Sequence, residues 1–191
     1  MSCPAQGDYF DYMLKTTDEL PLYLFDKGFA QRIPELAADY TVPEFFAPDR
    51  DMFAQLPEEC RPDHRWLIIG PERSGSSWHI DPNATSAWNA VIQGAKKWVL
   101  CPPHRPPPGV TPSSDGASIV TPISLYEWFR VFYSTLKGPE YRDAPPADVP
   151  RETVLRAGEL LFVPRGWWHT ALNVEHTIAL TQVISCRLLE D

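Results

Sequence analysis

Two stretches hold the residues best equipped for chemistry. In SGSSWHIDPN, residues 74–83, His79 stands two positions before Asp81, with Trp78 on one side of the pair and Pro82 on the other. In an extended chain residues i and i+2 point to the same face, so this imidazole and this carboxylate are presented side by side. A metal held by the pair needs a third ligand. The best candidate is His169 in WWHTALNV, on a strand entered through the turn Pro164-Arg165-Gly166. Two histidines and one carboxylate on one face of a metal leave three positions open, the arrangement non-haem Fe(II) oxygenases use for cosubstrate and dioxygen. Each motif alone has a plainer reading, since His-x-Asp before proline suits a turn and GWWH suits core packing. Their joint occurrence on separate strands favours the metal. His64, His104 and His176 lie in polar or proline-rich surroundings and are expected at the surface.

For distant histidines to meet, the intervening elements must fold back on one another. The segments 65–70, 85–92, 96–101, 153–156, 159–164, 167–174 and 177–185 are short, rich in β-branched and aromatic residues, and bounded by Gly or Pro, which predicts an all-β sandwich or barrel. Gln93-Gly94 and Glu175-His176 stand where tight hairpin turns are expected. One helix is predicted over 124–137, with Ser124 and Glu127 as a capping box, an apolar face of Leu125, Trp128, Phe129, Phe132 and Leu136, and a stop at Gly138-Pro139. It is expected to pack outside the sheets. Asp8 is expected to cap a short helix through Leu14, and 21–26 reads as a short extended segment. Residues 27–64 show only short helical turns with aromatic anchors, and no internal repeat is visible.

The chain has 191 residues, 43% hydrophobic and 22% charged, enough for one domain with a sizeable core. Many of its 21 prolines fall in 102–112 and 139–150, which read as two rigid loops. A net charge of −8 with no run of Lys or Arg gives no signature of nucleic-acid binding. Cys3, Cys60, Cys101 and Cys186 are too scattered for a zinc ribbon or a disulfide framework, and are expected to be reduced thiols in an intracellular protein. No apolar run approaches the ~20 residues of a membrane span, and the N-terminus lacks the pattern of an export signal.

WHIDPNATSAWNAVIQGAKKWVLCPP and GELLFVPRGWWHTALNVEHTIALTQ together resemble JmjC-domain 2-oxoglutarate oxygenases. The likeness is greatest to the phosphatidylserine-receptor-like branch of arginine demethylases and lysyl hydroxylases, and it runs from near Asp8 almost to the end. It implies a mainly β fold, a double-stranded β-helix or cupin-type jelly roll of about eight core strands with a few peripheral helices. The implied division is a lead-in over 1–30 and a catalytic domain over 31–191. The implied Fe(II) ligands are His79, Asp81 and His169, and the implied 2-oxoglutarate contacts are Lys96, Thr181, Asn89 and Tyr23. Lys96, Trp98 and Leu100 share a strand face, so a lysine there would be buried and would require an anion. The pattern alone leaves open that Lys97 is the inward one, or that both lysines are solvated.

The resemblance further implies hydroxylation of a side chain on a protein or peptide substrate, basic in character, with dioxygen as co-reactant. A stable alcohol would form on a lysine methylene, whereas hydroxylation of an N-methyl carbon would lead to demethylation. It also implies a nuclear location. Residues 40–64 and the loop before the 124–137 helix are expected to wall the substrate. Two departures are visible. Family members carry a longer N-terminal lead-in, so the chain is expected to be a minimal or a truncated version. Val183 stands where relatives carry an asparagine facing the site. The rival readings are a non-catalytic peptide-binding module on the same fold and a Zn or Mn cupin acting on a small molecule.

Overall fold

The computed structural model describes residues 6–47, 49, 51–114, 119–120 and 124–185. Short apolar strands with a turn residue at nearly every end have two ways to bury their faces: pair at once as hairpins, or cross to a facing sheet. This chain does mostly the second. Among the described residues the strands are β1 (Leu24–Asp26), β2 (Arg65–Gly70), β3 (Gly75–His79), β4 (Ser86–Gln93), β5 (Ala95–Cys101), β6 (Arg151–Arg156), β7 (Leu160–Val163), β8 (Trp168–Asn173) and β9 (Thr177–Ile184). They form one sheet in the order β1-β2-β9-β4-β7 and another in the order β3-β8-β5-β6, antiparallel throughout. Setting aside the edge strand β1, four strands face four, which is the expected jelly roll.

The two expected hairpins are corners instead. Gln93-Gly94 joins β4 to β5 and Glu175-His176 joins β8 to β9, and in each case the flanking strands lie in different sheets. The two corners stack on one another. Gly94 has φ +82, and a Cβ there would sit 2.1 Å from the His176 carbonyl oxygen, so both backbone conformation and close approach demand glycine. The Ala95 carbonyl accepts from Val174 N at 3.0 Å and from Thr177 Oγ1 at 3.1 Å, pinning the corners together.

Strand β5 is buried on both faces, which hides its alternation in the sequence. Trp98 and Leu100 point inward with Ala87, Val91, Val163 and Ala171, while Val99 and Cys101 point outward beneath a helical layer. That layer contains α4 (Leu125–Val131) and α5 (Pro139–Arg142). It packs outside the second sheet as expected, with Trp128 edge-on to Trp78 at 4.8 Å and donating its indole N–H to the Pro108 carbonyl at 2.8 Å. The single predicted helix over 124–137 is divided, however. The α-helix gives way at Phe132 to a tighter 3-10 turn, Tyr133–Lys137, which still buries Leu136. Ser124 caps α4 by accepting from Glu127 N at 3.1 Å. Ser124→Ala should lower unfolding stability by about 1 kcal/mol, read from the midpoint of urea denaturation.

The outer face of the first sheet is covered by α2 (Phe29–Arg32), α3 (Pro34–Ala38) and the turn bearing Phe46, which stacks on Trp88 at 6.3 Å. The N-terminal helix α1 (Gln6–Lys15) begins ahead of Asp8, so Asp8 lies in its first turn rather than at its cap. There its charge still favours the helix dipole. Tyr9 anchors α1 by donating to the Ile69 carbonyl at 2.8 Å. Among the described residues no helix is long and apolar enough to cross a membrane. Cys60 is exposed and Cys101 buried, the latter thiol pushed up to about 12 by burial; Cys3 and Cys186 lie outside the described residues.

Candidate active site

Between the sheets lies a cavity of about 400 Å³ lined from both sides. One wall carries Tyr23 and Phe25 from β1 and its approach, Trp66 and Ile68 from β2, Thr181 and Val183 from β9, and Ala87 and Asn89 from β4. The opposite wall carries Ser76 and His79 from β3, His169 and Ala171 from β8, and Lys96 and Trp98 from β5. The strand registers explain this assembly. Asn89, Thr181 and Trp66 stand opposite one another across the first sheet, as do Leu100, His169 and His79 across the second.

His79 and His169 are thus neighbours on adjacent strands although far apart in sequence, and their ring centroids are 4.1 Å apart. Asp81 completes the group by a route the strand pattern does not give. Strand β3 ends at His79, and Asp81 leads into the turn Pro82–Ala84 with an extended backbone, φ −61 and ψ 136. Its Oδ1 lies 3.7 Å from His79 Nε2 and 3.7 Å from His169 Nε2, beyond hydrogen-bond distance in both cases. The three donor atoms all lie within 4.8 Å of one another, the scale of two metal–ligand bonds of about 2.1 Å each.

Each imidazole is oriented by the same local device. His79 Nδ1 meets the Ser77 carbonyl at 2.7 Å and His169 Nδ1 meets the Trp167 carbonyl at 3.0 Å. A carbonyl only accepts, so Nδ1 carries the proton and the Nε2 lone pair faces Asp81 in both rings. Burial, aided by the neighbouring His79, holds His169 neutral by lowering its pKa to about 3. Burial also raises Asp81, against the opposing pull of His79. The Asp81 Oδ2 atom is buried without a hydrogen-bond partner. A buried, unpaired carboxylate oxygen beside two unprotonated imidazole nitrogens is costly unless a cation joins them, and these donors fit a divalent metal.

Deeper in the cavity Lys96 is 1% exposed, and it is Lys96 rather than Lys97 that turns inward. Lys97 instead pairs with Glu152 at 2.7 Å near the surface. The Lys96 ammonium donates to the Tyr23 hydroxyl and lies 5.2 Å from the Tyr23 ring centre and 5.9 Å from that of Trp98. Burial lowers its pKa to about 7 and raises that of Tyr23 far above the usual phenol range. Among the described residues no carboxylate pairs with Lys96, so its buried ammonium would be offset only by an anion from outside.

Asn89 also faces the cavity, its buried Oδ1 without a partner. Thr181 lines it too, but its hydroxyl donates to the Trp88 carbonyl at 2.9 Å and must turn away to donate to a carboxylate. Trp98 is a contact that pattern reading treats only as apolar. Its ring lies 6.2 Å from that of His169 with the two planes 30° apart, and its indole N–H is buried without an acceptor. The signal was available in its position two residues from Lys96 on the same strand face. Val183 lines the cavity as an apolar side chain.

Of the other histidines, His104 is exposed and pairs with Asp148 at 2.8 Å, and His176 is exposed and accepts from Glu72 N at 3.2 Å. His64 is half-buried rather than on the open surface. Segment 40–64 does supply wall residues, Phe53 and Asp63. The loop before α4 supplies none among its described residues, and 115–118 and 121–123 lie outside them.

The cupin-like domain model matches residues 1–182. The chain belongs to the cupin-like domain family. Its curated relatives support the likeness to the phosphatidylserine-receptor-like JmjC branch that the two motifs carry. The chain is 52% identical over 179 residues to "Arginine-specific demethylase JMJ22" of Arabidopsis thaliana, covering 94% of this chain and 34% of the relative. It is 43% identical over 175 residues to "Bifunctional arginine demethylase and lysyl-hydroxylase psr-1" of Caenorhabditis elegans, covering 91% of this chain and 42% of the relative. It is 32% identical over 161 residues to "2-oxoglutarate and iron-dependent oxygenase JMJD4" of Gallus gallus, covering 83% and 35% respectively. The chain thus spans well under half the length of these curated relatives.

Proposed function

We propose that this cupin-like chain carries the catalytic unit of an Fe(II)- and 2-oxoglutarate-dependent oxygenase that hydroxylates a side chain of a protein substrate. The observation that carries the reading is the conjunction, in one cavity, of three converging donors with a buried lysine that has no carboxylate partner. His79, Asp81 and His169 are the proposed metal ligands. Lys96 is the proposed partner of the distal carboxylate of 2-oxoglutarate, assisted by Tyr23, Asn89 and, once its hydroxyl turns, Thr181. When bound, ferrous ion with 2-oxoglutarate and dioxygen supplies the oxidising power, converting the cosubstrate to succinate and carbon dioxide and placing one oxygen atom in a substrate C–H bond.

The protein's own contribution is positional. The carbonyls of Ser77 and Trp167 hold both imidazoles with Nε2 toward Asp81. Ammonium and phenol together offer donors to an anion at the deep end. Trp98, Ala87, Val163 and Ala171 give the same cavity an apolar lining. No protein acid or base is needed at the reacting carbon. A target N-methyl group would yield a carbinolamine that releases formaldehyde, and a target methylene would yield a stable alcohol. The relatives' names support either outcome on arginine or lysine. A basic peptide is therefore the proposed partner, and a nuclear setting rests on the same likeness. A zinc cupin would use the same three donors, but it would leave Lys96 without a role.

Purified protein incubated with Fe(II), ascorbate and 2-oxoglutarate is expected to form succinate, and a fitting arginine- or lysine-containing peptide is expected to gain one oxygen or lose one methyl. Absence of succinate across a panel of such peptides, uncoupled turnover included, would count against the oxygenase reading.

A further inference from the structure

The more exposed part of the cavity lining differs in chemistry from the buried Lys96. Apart from Asp81 beside the two histidines, the lining holds one further carboxylate, the exposed Asp63, together with the exposed or half-buried rings of Phe25, Phe53 and Trp66. Phe53 is held firmly: Asp51 Oδ1 accepts from Phe53 N and from Ser185 N, each at 3.0 Å, clamping the turn Met52–Gln55 to the end of β9. Asp63 is already paired, with Lys27 at 2.8 Å, yet both side chains are open to solvent, at 55% and 64% exposure. Exposed pairs of this kind contribute little to stability and exchange partners readily. The nearby arginines are engaged elsewhere. Arg61 donates to the Leu56 and Ala54 carbonyls, and Arg65 lies over the Phe29 ring. Lys27 is thus a loosely held cation on the only carboxylate among the described residues that line both this cavity and the adjoining polar groove.

Resting on the oxygenase reading above, we infer that Asp63 is the specificity-determining residue for a cationic substrate side chain, with Lys27 occupying its place until substrate arrives. Aromatic faces and one carboxylate are complementary to a guanidinium or ammonium on an apolar stem. The incoming cation takes over Asp63, its stem lies along Phe25, Phe53 and Trp66, and Lys27 is released to water. Lys27 therefore competes with substrate, so removing it tightens binding.

The test uses fluorescein-labelled peptides identical except for a central arginine, lysine, citrulline or glutamate, with binding followed by anisotropy in the presence of Mn(II) and 2-oxoglutarate. Wild type should prefer the arginine or the lysine peptide over citrulline by about two- to fivefold. D63N should lose that preference and K27M should increase it. The exchanged pair K27D/D63K, which keeps an ion pair, should turn the preference toward glutamate. A merely structural pair would leave the exchanged protein with wild-type preference, and that result overturns the inference, as does a wild type that binds no cationic peptide or a D63N with unchanged preference. Binding of Mn(II) and 2-oxoglutarate is measured first in each protein. Its absence in wild type fails the oxygenase reading, whereas its presence with an unchanged peptide preference fails the role of Asp63 alone.

Discussion

His79→Ala and Asp81→Ala are each expected to abolish stoichiometric Fe(II) binding, and turnover with it, while the jelly roll stays intact. The loss should exceed the roughly 10–100-fold seen when only a supporting partner of a metal ligand is removed, because here one of three protein donors disappears. With no metal bound, the folded protein holds Asp81 protonated to a higher pH than the unfolded chain does. The folded state then binds more protons in that window, so this group lowers stability as pH rises through it. Asp81→Ala removes that cost, and the metal-free variant should melt no lower than metal-free wild type at neutral pH. Added Fe(II) should raise the melting temperature of wild type only. Wild-type metal occupancy in either variant would remove that residue from the ligand set.

Lys96→Ala is expected to weaken 2-oxoglutarate binding by about 1.5–3 kcal/mol, the worth of a hydrogen bond to a charged group, with Fe(II) binding unchanged. The same residue predicts a proton linkage. Burial lowers Lys96 to about 7 in the free protein, and a bound dicarboxylate would restore its charge. Above pH 7, binding should therefore take up a proton, and calorimetry in buffers of different ionisation enthalpy should detect it in wild type but not in Lys96→Ala. The sign for folding runs the other way. Between about 7 and the ordinary lysine range the unfolded chain binds the extra proton, so with no cosubstrate bound this group makes the fold more stable as pH rises through that interval. An unchanged cosubstrate affinity in Lys96→Ala would move the anion's partner elsewhere.

The donors at the site were legible in the sequence because each carries its own local signal: His79 and Asp81 between tryptophan and proline, and His169 behind a glycine turn. Strand positions were legible from their β-branched and aromatic runs, and β2 begins and ends where the pattern predicts, at Arg65 and Gly70. Sheet membership was not. Gly94 adopts the left-handed conformation a hairpin would also use, and only the facing His176 carbonyl shows that it turns a corner between sheets. Nor could the pattern reveal that β3 stops at His79, because the turn beginning at Pro82 keeps Asp81 extended and aimed as a further strand residue would be. The inward choice of Lys96 over Lys97 was undecidable locally, since outward-facing Val99 and Cys101 are as apolar as the inward residues. The break at Phe132 was hidden because the 3-10 turn keeps Leu136 on the buried side. Asp63 carried no signal at all, because an isolated surface acid looks the same whether or not a cavity opens beside it.

The proposed function depends most on one ion joining His79 and Asp81 to the sequence-distant His169. Crystals grown anaerobically with Fe(II) and measured at the iron absorption edge test it directly. One strong anomalous peak is expected within bonding distance of His79 Nε2, an Asp81 carboxylate oxygen and His169 Nε2. A peak that leaves out any of the three, or no peak in the cavity at saturating Fe(II), would contradict it.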